Sequence, residues 1–305
     1  MLCNAKHAME SHAVKAIILA GGAGSRLYPL TQVASKQLQA VYDKPMIYYP
    51  LTVLIAAGIR EICLISTPAD LPRYQQLLGD GRQWGIQLSY REQPKPEGIA
   101  QALVIAADFV GNAPVTLMLG DNIFFGSDAI PRAIAEFKGG ATVFAYHVTD
   151  PERYGVIGFD AQGRATSIEE KPTQPKSSYA VPGIYIYDAQ AAGIAAQLAP
   201  SPRGELEITD VNRHYLAAGT LNVVRLHRGF AWLDAGTSSA LQEASAYIAT
   251  VERRQGLKIG CPEEAALRAG SLTLAQFEAL VATLPRCEYR DYLEYVAAEA
   301  RRLHA

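Results

Sequence analysis

Residues 14–20, Val-Lys-Ala-Ile-Ile-Leu-Ala, make a short, nearly continuous apolar run. A run of that length suits a strand buried on both faces of a parallel sheet. Residues 59–66 and 115–119 read the same way, 141–148 reads as another strand, and 86–91 alternates as a strand does. Helical stretches lie between them: 45–57, opened by Pro45 and followed by Gly58; 70–78, with Pro72 in its first turn; the alanine-rich 99–107; and 128–137. This alternation predicts an α/β fold, Rossmann-like and doubly wound, with a mainly parallel sheet.

From about residue 150 to 188 the rhythm changes. Segments 154–159, 165–169 and 180–187 are short, alternating and joined by turns such as Ala161-Gln162-Gly163. They predict antiparallel strands in a small inserted subdomain lying over the sheet. Residues 189–198, 208–218 and 238–254 read as helices, with a strand at 221–226. The tail, 256–305, is helical. Thr273 and Gln276 fit a capping box, and Tyr289, Tyr292, Val296, Ala300 and Leu303 recur on one helical face, as core residues do. Residues 1–13 lack a signal-peptide core and read as a start-site artefact or a disordered extension.

Composition narrows the function classes. A chain of 305 residues with 49% hydrophobic and 19% charged positions can bury a large core and is not disordered. A net charge of -2 leaves no footprint for nucleic acid, so a nucleotide partner is expected to be a small molecule. No apolar run reaches membrane-spanning length. Cys3, Cys63, Cys261 and Cys287 lack metal-ligand spacing, and Cys63 reads as a reduced, buried thiol. There is no Gly-x-Ser-x-Gly elbow, His-Glu-x-x-His or Cys-x-x-Cys, and His147, His214 and His227 are scattered.

The candidate chemistry begins where the first strand stops. Gly21, Gly22, Gly24, Ser25 and Arg26 form a loop whose backbone N–H groups can approach a phosphate or a base, beside a permanent cation with a planar fork. The same residues would serve a tight strand-to-helix turn. The loop is no P-loop, because no Gly-Lys-Ser/Thr follows. It is no dinucleotide fingerprint either, because Leu27 stands where the third glycine belongs. An NAD oxidoreductase is therefore a distant reading. Asp121 follows the 115–119 strand and reaches the same carboxyl edge of the sheet, where a carboxylate beside phosphates would hold Mg²⁺. Asp234, in Trp232-Leu-Asp-Ala-Gly236, is the natural second metal carboxylate; either acid would otherwise cap a helix or close a turn.

Several motifs together carry a resemblance. Leu19-Ala-Gly-Gly-Ala-Gly-Ser-Arg-Leu-Tyr-Pro-Leu30, followed by Ser35-Lys-Gln-Leu38 and Asp43-Lys-Pro-Met46, resembles the sugar-nucleotidyltransferase family, in particular its thymidylyl-transferring members. The resemblance runs from about Lys15 to the C-terminal helices. It implies dTTP and glucose 1-phosphate as substrates and Mg²⁺ as cofactor. It further implies a cytoplasmic homotetramer, with subunit contacts and an effector site in the 256–305 helices. Within a nucleotidyltransferase domain of 14–255, about 150–235 would hold the sugar. Arg26 and Lys36 would bind the triphosphate and its leaving pyrophosphate, although a lone Lys36 is otherwise a solvated residue. Gln93 would read the pyrimidine and Gly98 would give close backbone approach. At the sugar end the resemblance assigns Glu170 to hydroxyls, Lys171 to the sugar phosphate, Gly155 and Val181 to backbone contacts, and Glu205 to the pocket wall. Without it, Glu169-Glu-Lys-Pro172 is a charged hairpin. The chain departs from the family's pattern at Gln39-Ala40, Pro182 and Ala235. The competing expectations are a uridylyltransferase making UDP-glucose and a nucleotide-sugar sensor that has lost catalysis.

Overall fold

The computed structural model describes residues 13–22 and 24–304. The extension read at 1–13 thus falls, but for Ala13, outside the described residues, as does Cys3. In chain order the strands are β1 (Lys15–Leu19), β2 (Ala40–Val41), β3 (Lys44–Pro45), β4 (Glu61–Ser66), β5 (Gln87–Glu92), β6 (Val115–Leu119), β7 (Asn122–Phe125), β8 (Ala141–His147), β9 (Gly155–Phe159), β10 (Ala165–Glu170), β11 (Tyr179–Ala180), β12 (Ile184–Tyr187), β13 (Leu221–Arg225) and β14 (Ala231–Asp234).

One ten-stranded sheet runs β10-β9-β11-β8-β12-β6-β1-β4-β5, with β13 also paired to β8. Strands β6, β1, β4 and β5 are parallel neighbours, as the apolar runs of β6, β1 and β4 predict. Strand β12 is antiparallel to both of its neighbours, and β9 to β11 continue antiparallel beyond β8. The antiparallel segments expected over the sheet are therefore the far end of the same sheet. Along β1, Ala16 and Ile18 enter one core while Ile17 and Leu19 enter the other, which is why the run does not alternate.

Three local expectations change. The helix predicted from Pro45 begins at Tyr48 and runs to Ala56. Ahead of it, Met46 and Ile47 donate to the carbonyls of Gln39 and Gln37, and Pro45 pairs with Ala40 in the β2–β3 hairpin. The 99–107 helix is two short ones, Gln101–Ile105 and Ala107–Val110. The single strand expected over 180–187 is interrupted at Val181-Pro182-Gly183, where proline has no N–H for a ladder.

The tail closes against the sheet. Helices Pro262–Arg268, Leu274–Thr283 and Glu288–His304 follow the long helix Ser238–Gln255. Leu293, Val296 and Ala297 join the same core as Ala16 and Ile18, with Tyr289 and Tyr292 packed against it. The apolar stripe is therefore core over this stretch; the side chain of Leu303 lies outside the described residues. Each fully buried leucine there stabilises by roughly 1.5–3 kcal/mol. The capping box forms, with Gln276 N–H on Thr273 Oγ1 and Thr273 N–H on Gln276 Oε1. Cys63 and Cys261 are free and buried, and burial pushes both thiols up. Among the described residues no helix is long and apolar enough to cross a membrane.

Candidate active site

The carboxyl ends of β1, β5 and β6 open into a cleft of about 650 Å³. At one end, Gly21 leaves β1 directly against Gln93. A Cβ on residue 21 would lie 1.9 Å from Gln93 Oε1, so any larger residue there would displace the Gln93 amide. Gln93 is 2% exposed, donates Nε2–H to Gln101 Oε1 at 2.6 Å, and takes its place because its own N–H bonds Ser66 O at the end of β4. Gly98 turns at φ +107° beneath the backbone of Leu206, and any Cβ there would come within 2.4 Å of that carbonyl oxygen. This backbone crossing joins the Gln93 end to the segment carrying Glu205.

Two short strands, neither of them predicted, bring the acids together. β7 and β14 pair antiparallel with Asn122 opposite Asp234, so Asp121 and Asp234 meet across the ladder. Asn122 holds this junction. Its Oδ1 accepts from Trp232 Nε1 at 2.6 Å and Gly183 N at 3.0 Å, while its Nδ2 donates to Asp121 Oδ1 at 3.1 Å. Lys36 Nζ donates to the other oxygen of Asp121. Far from a solvated lysine, Lys36 forms a pair whose side chains are only 16% and 10% exposed. Burial would push the Asp121 carboxyl up, but the charge and hydrogen bond of Lys36, helped by Asn122, hold it below its usual range. Asp234 moves the opposite way. Burial and then the charge of Asp121 raise it, against Lys36, Arg26 and Arg153. Arg26 stands at the mouth: a Cβ on Gly236 would lie 3.1 Å from both its guanidinium nitrogen and Asp234 Oδ1.

The far end is assembled by the antiparallel ladder. Gly155 pairs with Glu170, and Val181 N–H donates to Gly155 O at 2.8 Å. A Cβ on Gly155 would lie 3.3 Å from Thr209 Oγ1 and 3.6 Å from Glu170 Oε2. Thr209 donates to Glu170 Oε2 at 2.5 Å. Lys171 follows with φ +42°, a strained conformation outside glycine, and its Nζ lies 3.9 Å from Glu170 Oε1. Glu205 lines the wall and accepts from Arg203 at 3.3 Å.

The structure thus gathers Gly21, Gly22, Arg26, Lys36, Gln93, Gly98, Asp121, Gly155, Glu170, Lys171, Val181, Glu205 and Asp234 around one cavity. It does not bring Gly24 and Ser25 to its lining. Gly24, at φ +56°, packs on Thr31 and starts the turn Ser25–Leu27 that carries Arg26, and Ser25 is exposed. Sequence reasoning missed Arg153, whose Nη2 lies 3.9 Å from Asp234, together with Asn122, Thr209 and Trp232. Arg153 had one signal, its place two residues before Gly155; the others had none beyond the neighbouring acids.

Four cations (Arg26, Lys36, Arg153, Lys171) face four acids (Asp121, Asp234, Glu170, Glu205) across the cleft. The lining is electroneutral by itself, so two phosphorylated ligands would need further positive charge. Among the described residues no three His, Cys, Asp or Glu side chains form a metal cage. Two adjacent carboxylates, one neutralised by a lysine and the other pushed up, instead fit a cation completed by ligand phosphates and water.

The chain is similar to known proteins over most of its length. A profile of the nucleotidyl transferase family matches residues 15–251. A glucose-1-phosphate thymidylyltransferase of Xanthomonas campestris pv. campestris is 55% identical over 286 residues, 93% of this chain and 97% of that one. One from Mycolicibacterium smegmatis is 52% identical over 92% of this chain and 98% of its own. The chain belongs to the glucose-1-phosphate thymidylyltransferase family. Every residue lining the cleft, from Leu19 to Asp234, falls inside the stretch matched by the profile. A crystal structure from Bacillus anthracis, assigned to the thymidylyltransferases and solved with sucrose, superposes with a TM-score of 0.72 at 45% identity. It covers 77% of this chain and 95% of that one. A UDP-glucose pyrophosphorylase bound to UDP-glucose shares the fold at a TM-score of 0.69 and 22% identity, over 78% of this chain and 99% of its own.

Proposed function

We propose that this chain transfers a thymidylyl group from dTTP to glucose 1-phosphate, giving dTDP-glucose and pyrophosphate. The observation that supports the reading is that the Lys36–Asp121–Asp234 cluster lines the same cleft as Gln93 and Glu170. The nucleotide enters with its base at Gln93, whose amide offers both a donor and an acceptor to a pyrimidine edge. The sugar hydroxyls meet Glu170 and the backbone at Gly155 and Val181, with the sugar phosphate at Lys171.

A phosphate oxygen of glucose 1-phosphate attacks the α-phosphorus of dTTP, forming one P–O bond as the bond to pyrophosphate breaks. The attacking group is already an anion, so no general base is required. The obstacle is repulsion: like unit charges about 4 Å apart cost roughly 4 kcal/mol at an effective dielectric of about 20. Arg26, Lys36 and Lys171 offset that repulsion and the charge growing on the leaving group. Asp121 and Asp234 would hold Mg²⁺, which when bound neutralises phosphate charge and polarises the reacting phosphorus. Positioning supplies much of the remainder.

The test is pyrophosphate release over a grid of nucleoside triphosphates and sugar 1-phosphates with Mg²⁺. The expected maximum is dTTP with glucose 1-phosphate. A faster reaction with UTP would make the chain a uridylyltransferase. Release that does not respond to glucose 1-phosphate would refute transfer altogether.

A further inference from the structure

Lys36 is braced from outside the cleft. Helix Leu71–Leu78 contributes nothing to the cleft lining, yet Tyr74 on it is fully buried and turned toward the Lys36 loop. Its hydroxyl shares a hydrogen bond of 2.5 Å with Ser35 Oγ and donates to Gln37 Oε1 at 3.4 Å. Asp70, which precedes the helix, accepts Ser35 N–H at 3.1 Å. Ser35 and Gln37 are themselves buried and flank Lys36 in the short turn Lys36–Leu38. Two hydrogen bonds from the helix and one from the residue before it therefore grip the chain on both sides of a single cation. Burial pushes the Tyr74 hydroxyl far up, so it stays protonated across the working pH range.

A buried tyrosine needs one partner to satisfy its hydroxyl; this one engages both neighbours of Lys36. A one-turn helix of this type has poor internal hydrogen-bond geometry and does not fix itself. Lysine is also a point charge on a long, flexible stem. At its far end the ammonium is held by Asp121. Once phosphates compete for the ammonium, its origin is fixed by these tethers together with the N–H groups of Ile47 and Met46 on the carbonyls of Gln37 and Gln39. We propose that Tyr74, with Asp70, is a positioning residue for nucleotidyl transfer, setting the turn from which Lys36 reaches the nucleotide phosphates. This rests on the reading of Lys36 given above.

Tyr74→Phe keeps the ring and deletes the hydroxyl. Its expected effect is a fall of about tenfold in kcat/KM for dTTP, between the several-fold cost of one neutral hydrogen bond and the roughly hundredfold cost of a 1 Å misplacement. The KM for glucose 1-phosphate stays within about twofold, and Ser35→Ala acts in the same direction. Tyr90→Phe is the control. It removes a 2.5 Å bond from Tyr90 to Gly79 O at the other end of the same helix and leaves the kinetics unchanged. Calorimetric dTTP binding in a Lys36→Ala background decides the route, because it reads even an inactive enzyme: there, Tyr74→Phe weakens binding no further. Tyr74→Phe kinetics matching those of Tyr90→Phe, or a dTTP-binding loss that persists without Lys36, would overturn the inference. A fully active Lys36→Ala enzyme would remove the role of Lys36 itself, and this inference with it.

Discussion

The two cleft acids make opposite predictions for stability and the same prediction for catalysis. Asp121→Asn removes the anion from a pair whose side chains are 10% and 16% exposed, leaving Lys36 half-compensated. Removing one partner of a buried pair costs about 3–5 kcal/mol. Asparagine keeps the shape, and the charge of Asp234 is near enough to oppose that of Lys36. The loss should therefore be on the order of 2 kcal/mol, or about 3 °C in Tm for a chain of this size. Asp234→Asn instead removes a carboxylate that burial and Asp121 disfavour. It should cost nothing and gain up to about 1 kcal/mol, as relief of strain at a functional site does. Each variant should nevertheless lose at least about 10²-fold in kcat, the scale for deleting one electrostatic stabiliser. Denaturant unfolding without metal gives the first quantity, and pyrophosphate release at saturating Mg²⁺ gives the second. Stabilisation of the wild type by added divalent cation should vanish in both. Equal destabilisation by the two changes, or full activity in either, would refute the view of a polarised acid pair.

The same pair sets a pH dependence. Asp234 has a folded-state pKa above its ordinary value of 3.8, so its contribution is complete below that pH and is lost as pH rises through the raised value. Asp121 lies below 3.8, so its contribution is present above that pH and is lost as pH falls through the lowered value. Metal-free unfolding titrations should show the first loss in wild type and not in Asp234→Asn. Lys171→Ala should raise the glucose 1-phosphate KM more than the dTTP KM; the reverse ordering in steady-state kinetics would exchange the two ends of the cleft. Gln93→Ala should narrow the kcat/KM ratio between pyrimidine and purine nucleotides, and an unchanged ratio would end its role as base reader. Gly98→Ala places a Cβ 2.4 Å from Leu206 O at a positive φ and should cost more than about 1 kcal/mol in unfolding, with the dTTP KM rising.

The deep architecture was legible because it depends on local pattern. The uniform apolar runs of β1, β4 and β6 report burial on both faces, and that burial fixes them as interior parallel strands. The capping box at Thr273 and the core stripe from Tyr289 to Val296 were readable for the same reason. The shorter elements were not. β7 and β14 are four residues each and exist because each satisfies the other's backbone, a partnership separated by about a hundred residues. The start of the helix at Tyr48 was likewise decided by carbonyls of Gln37 and Gln39, which no propensity of Pro45 foretells.

The sequence by itself determined which charges and glycines the chain carries at its strand ends, and hence the kind of ligand the edge of the sheet can bind. Only the tertiary structure decided how those charges are disposed. Lys36 is buried against Asp121, and Asp234 is unfavourably ionised beside it. Arg153 leans toward Asp234, and Gly24 shapes a turn without lining the cleft. The physical reason is that hydrophobic periodicity is a property of neighbours along the chain. Electrostatic energy depends instead on distance and burial, which are set only when remote segments pack together.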